Sequence, residues 1–168
     1  MLVLILAGCT GPSQSAPKPE RGDLERVALA FVPETIRIHP LTHLEWSADK
    51  GGSIIALIEM HDRWGDTTKG VGELQVQLYR PETGLDAGIE VQELKWAVSL
   101  SDLEANALWF DPVTRMYRIT LGDVPDWVAD IAREPPGSGG RVRLRVLLTT
   151  IGPNGRERVL RDDYLVQH

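Results

Sequence analysis

Arg141-Val142-Arg143-Leu144-Arg145-Val146-Leu147-Leu148 alternates charged and apolar side chains from Arg141 to Val146, and Pro153-Asn154-Gly155 follows it closely. Successive strand side chains point to opposite faces, so this run has one dry face and one wet face. Asn and Gly accept the positive φ of a tight turn, which makes the second stretch a hairpin signal. The run from Val159 to Val166 then returns beside the first. Such a pair belongs to an antiparallel sheet that faces water on one side.

Working outward, the same period of two recurs along the chain. Val27, Leu29 and Phe31 alternate with smaller or polar partners, and Ile36 and Ile38 alternate with Arg37 and His39. Ser53 to His61 is nearly all apolar and reads as a central strand. Leu74, Val76 and Leu78 alternate with Gln75, Gln77 and Tyr79. Leu94, Trp96, Val98 and Leu100 share a face, as do Tyr117, Ile119 and Leu121. Turn residues separate the runs: Asp49 to Gly52, Asp62-Arg63-Trp64-Gly65-Asp66, Pro81 to Gly84 and Asp111-Pro112. Ser101-Asp102-Leu103-Glu104 has capping-box spacing for a short helix. Asp123 is placed to cap a second, with Pro125 in its first turn, ending near Ala132 before a loose linker over 135–140. The expectation is an all-β fold. It is an antiparallel β-sandwich of about seven or eight strands, of the Ig, C2 or transthyretin kind, with one or two short helices in loops.

The chain opens differently. Leu2 to Ala7 is continuously apolar, and Leu6-Ala7-Gly8-Cys9 resembles the lipobox of bacterial lipoproteins. An apolar run of this length is too short to cross a bilayer, which takes about 20 residues in a helix. No Lys or Arg precedes it, so residues 1–8 read as a truncated signal peptide. The resemblance implies that Cys9 takes a diacylglyceryl group and becomes the mature N-terminus, with palmitate-type chains as its membrane anchor. Residues 9–23 are then the lipidated Cys and a flexible tether rich in Gly, Pro and Ser. Thr10, not Asp, follows the Cys. By the same resemblance that favours the outer membrane, facing periplasm or exterior. Cys9 is the single Cys, so no intramolecular disulfide is available. Residues 24–168 remain for the β-sandwich, about 145 residues and the usual size of one domain.

Composition narrows the function classes. The chain is 42% hydrophobic and 25% charged, with a net charge of −6. An acidic chain is a poor match for non-specific nucleic-acid binding. No Gly-x-Ser-x-Gly elbow, His-Glu-x-x-His motif or phosphate loop occurs, so no catalytic residue is nominated and the domain is read as non-enzymatic.

Several groups are candidates for binding. Asp62, Asp66 and Glu73 flank a Trp-Gly turn, and sandwich loops with acidic ligands hold Ca²⁺, which takes about 6–8 oxygens. Ca²⁺ is therefore the one cofactor considered, with Asp111, Asp162 and Asp163 as further ligands if they share that end. The plainer reading is that these residues shape turns. His39, His43 and His61 fall short of a zinc set, which needs about three or four converging ligands. Trp64 lies in a polar loop, where an exposed ring stacks on a sugar or anchors a partner, while a buried one caps a sheet edge. Trp46, Trp96, Trp109 and Trp127 each have a core role open to them. Arg141, Arg143 and Arg145 form a basic row, either a partner surface or one side of cross-strand pairs with Asp162 or Asp163. That Asp pair interrupts the alternation, as a bulge or a sheet edge does.

Ile36-Arg37-Ile38-His39-Pro40-Leu41-Thr42, the segment from Asp62-Arg63-Trp64-Gly65 through Leu78-Tyr79-Arg80, and Asp111-Pro112-Val113-Thr114-Arg115 look like stretches of a group of uncharacterised bacterial β-sandwich lipoproteins. The resemblance implies an envelope protein held to the membrane by its lipid; the exposed reading of Trp64 adds an envelope protein or a glycan as the expected partner. The resemblance itself implies no chemistry.

Overall fold

A computed structural model of the protein describes residues 22, 29–80 and 91–168. Sheet A is built on the central strand β3 (Gly51–His61). Its upper half pairs with β1 (Thr35–Ile38) and its lower half with β2 (His43–Ser47), both on one flank. On the other flank lie β7 (Met116–Leu121) and then the short β6 (Phe110–Asp111). Sheet B has the order β5-β4-β8-β9, formed by β5 (Val91–Ser99), β4 (Glu73–Arg80), β8 (Arg141–Ile151) and β9 (Glu157–Gln167). Every pairing is antiparallel. The all-β sandwich with two short helices is therefore the fold.

Alternation builds the core. Ile54, Ile58 and Met60 of sheet A face Leu74, Leu78, Leu144 and Val146 of sheet B, and all are fully buried. The hairpin is as expected: Arg145 pairs with Asp163 and Leu148 with Leu160, in unbroken register. Gly155 takes its positive φ of 72° in the connecting turn. Asp162 and Asp163 thus mark a sheet edge and not a bulge; the irregularity in sheet B falls between Leu78 and Tyr79.

Three local expectations are corrected. Residues 29–30 are helical, so the Val27-Leu29-Phe31 alternation is no strand where it is described. Helix α1 (Leu103–Trp109) is capped by Asp102, whose carboxylate accepts from the Glu104 N–H; the Ser101 hydroxyl instead donates to Glu73. Helix α2 (Asp126–Arg133) starts after Pro125 with no side-chain cap, since Asp123 is turned to a positive φ of 54°. Strands β2 and β6 were not expected. Each is short, and each is stabilised by the longer strand beside it. The turn expected at Pro81 to Gly84 lies outside the described residues.

The register sorts the connections into two ends. The β3–β4 loop, α1, the β6–β7 turn and the β8–β9 turn gather at one, here the loop end. Helix α2 closes the other, where a side chain on Gly52 would collide with Ala129 at 2.7 Å. Along the sides, the edges of the sheets are tied together. Ile38 N–H donates to the Asp162 carboxylate at 2.8 Å, and the Arg158 guanidinium donates to the Glu34 carbonyl at 2.5 Å. On the opposite side the Trp96 indole donates to the Gly122 carbonyl at 3.0 Å.

Candidate functional site

The β3–β4 loop is shaped by one carboxylate. Asp62 is only 6% exposed, and its Oδ1 accepts from the Trp64 N–H at 2.9 Å and the Asp66 N–H at 3.0 Å. Backbone bonds between Asp62 and Asp66 and from Gly65 to Asp62 close the turn. Gly65 sits at φ 84°, where a side chain would be strained. Trp64 is 59% exposed, with Phe31 at 5.4 Å and 46° and the Arg63 guanidinium 5.4 Å from its centroid. Phe31 is itself 54% exposed and is held there by its carbonyl, which accepts from the Thr68 hydroxyl at 2.8 Å.

Behind this surface lies a buried polar hub. The Tyr117 hydroxyl accepts from the Gly70 N–H at 3.0 Å and donates to Asn106 Oδ1 at 2.9 Å. Asn106 Nδ2 donates to the carbonyls of Gly70 at 2.6 Å and Leu100 at 2.9 Å. Sheet A, α1 and the β3–β4 loop are thereby joined by groups that have no water to fall back on. Burial pushes the Tyr117 phenol above its ordinary range, against its hydrogen bonds with Gly70 and Asn106. Among the described residues, every buried side-chain N or O atom has a partner.

The acidic candidates do not converge. Asp62 is engaged by its own turn, and Glu73 accepts from Ser99 at 2.6 Å and Ser101 at 3.4 Å. Among the described residues no three His, Cys, Asp or Glu side chains are gathered to hold a metal ion. Asp111 shares the loop end but caps its own turn through the Val113 N–H, which lowers its pKa. Asp162 and Asp163 lie mid-strand. His39 and His61 flank Glu59 at 3.2 and 3.8 Å, while His43 turns away to the Leu41 carbonyl.

The basic row runs along the outer face of sheet B, on a surface apart from Trp64. Arg145 pairs with Asp163 at 2.7 Å, donates to the Tyr79 hydroxyl at 3.0 Å and lies 4.7 Å from the Tyr79 ring centroid. The cross-strand pairing expected of it is present. Burial works to raise the Asp163 carboxyl, but hydrogen bonds from Arg161 and Arg145 outweigh it and hold the pKa down. Arg143 is half-buried and Arg141 exposed on the same face. Of the remaining tryptophans, Trp96, Trp109 and Trp127 pack against the core, whereas Trp46 is exposed beneath the Arg133 guanidinium. Cys9 lies outside the described residues.

Neither the partnership of Phe31 with Trp64 nor the hub around Tyr117 is legible in the sequence. The one signal for the hub is Tyr117 on a buried face, where a hydroxyl needs a partner. Comparison with protein-family models, with curated proteins and with solved structures returns no match.

Proposed function

We propose that the protein is a lipid-anchored component of the bacterial cell envelope whose β-sandwich is a non-enzymatic binding or structural module. The observation that carries the reading is Leu6-Ala7-Gly8-Cys9 at the head of a Pro- and Gly-rich segment, with no second Cys in the chain. The exposed aromatic pair at the loop end supports it, because two adjacent exposed rings, one of them an indole with an apolar body and a polar N–H, suit a binding surface. Diacylation supplies stable anchoring that one chain does not. In the native host the protein is expected to incorporate radiolabelled palmitate and to lose the label in Cys9→Ser. A wild-type chain that takes up no palmitate overturns the reading.

A second reading rests on Trp64 itself. An exposed indole beside Arg63 and Asp66 is the chemistry that stacks on a sugar ring and bonds its hydroxyls. A glycan array separates the two: binding that disappears in Trp64→Ala favours a carbohydrate-binding or hydrolytic envelope protein, and silence across the array removes that reading.

A further inference from the structure

The exposed apolar side chains are unevenly placed. Among the described residues the most exposed large ones are Val113 at 89%, Leu108 at 85% and Leu103 at 74%, and all three sit at the loop end with Phe31 and Trp64. We propose that this end docks on the membrane that holds the Cys9 anchor, with the Phe31–Trp64 pair seated at the level of the lipid headgroups and Arg63 on their phosphates. The proposal rests on the anchoring reading and adds an orientation to it.

Two observations select a bilayer as the occupant. The first is chain continuity. Phe31 stands 22 positions after Cys9 and joins the sandwich at this end, through the Thr68 bond to its carbonyl. A segment of that length reaches at most roughly 75 Å when fully extended. The loop end is therefore the part of the domain nearest the anchor along the chain.

The second is chemistry. Trp is enriched where a membrane meets water, because its ring is apolar and its N–H is polar. Cations beside such rings pair with anionic headgroups, and here Arg63 lies over Trp64 while Arg115 donates to the Thr67 carbonyl at 3.1 Å in the adjoining turn. Of the two carboxylates in this turn, Asp62 is turned inward and engaged by backbone N–H groups, while Asp66 is exposed and leaves Arg63 as the cation that must outweigh it at the surface. A loop seated among headgroups keeps its backbone hydrated, as irregular structure requires. The Tyr117–Asn106–Gly70 hub holds the loop in place, so docking costs little ordering. The contact is weak by itself and becomes effective through the tether, which supplies a high local concentration.

The test couples the full chain through its single Cys9 thiol to a maleimide lipid. The vesicles are phosphatidylethanolamine and phosphatidylglycerol, with lipids brominated in the upper acyl chain. This tether is synthetic, so its outcome is independent of palmitate uptake in the host. Expected is quenching of wild-type Trp emission by brominated over unbrominated vesicles, absent in Trp64→Phe and reduced in Arg63→Glu. Equal emission on both vesicles in the wild type overturns the docking surface, as does quenching that survives in Trp64→Phe. Trp64 is exposed, so neither variant disturbs the core.

Discussion

Tyr117 shows how much of this protein turns on single polar atoms. Its ring contributes to the core and its hydroxyl serves both the Gly70 N–H and Asn106 Oδ1. Tyr117→Phe keeps the ring and strands both partners. A buried group left unpaired costs about 1–3 kcal/mol, and a loss of that size is expected in urea unfolding. The same residue sets an alkaline limit. Burial raises the folded pKa of the phenol above its ordinary 10.0. The unfolded chain therefore releases this proton first as pH rises. Its contribution to stability is complete below that value and is lost as pH climbs through the folded pKa. Unfolding followed from neutral to alkaline pH is expected to fall more steeply in the wild type than in Tyr117→Phe. Parallel profiles would remove Tyr117 as the cause.

At the scale of elements, β9 does two jobs with adjacent carboxylates. Asp163 points outward and pairs with Arg145 across the sheet. Asp162 points inward and caps the Ile38 N–H on the edge strand of the other sheet. An inward charge on an edge strand also discourages another chain from pairing there. Asp162→Ala leaves that N–H without its partner at the β1–β9 seam. A hydrogen bond to a charged acceptor is worth about 1.5–3 kcal/mol, so faster hydrogen exchange at the Ile38 amide is expected, with the β8 amides little changed. Unaltered exchange at Ile38 would show that the seam is held by packing alone. The strands carrying this arrangement were legible: alternation placed β4, β7 and β8 on the correct faces, because burial selects one side chain in two. The helix caps were not, since Asp102 and Ser101 are equally competent by type and only the local backbone chose between them.

For the whole molecule, the two sheets share one core and are tied along both sides. Neither sheet has a dry face of its own once they separate. Urea unfolding of the full chain is therefore expected to be a single transition, with tryptophan fluorescence and far-ultraviolet dichroism coinciding; two displaced curves would mean that one sheet outlives the other. The ends of the sandwich differ sharply. Helix α2 fills one with Val128 and Ala132, while the other presents Phe31, Trp64 and Val113 to solvent.

Local periodicity by itself determined the longer strands, the hairpin at Asn154-Gly155 and the all-β class, because which face of a strand is dry is written in every second residue; it misses the short β2 and β6 and reads a strand into 27–31. The expected ion pair of Arg145 followed from the same register. The turn at Asp62 was open to the sequence as the plainer of two readings; only the tertiary structure decided that Asp162 serves a strand 124 positions away and that Phe31 and Trp64 meet. The last two contacts join segments far apart in the chain, and a one-dimensional pattern carries no information about which loops the packing of two sheets brings to the same end.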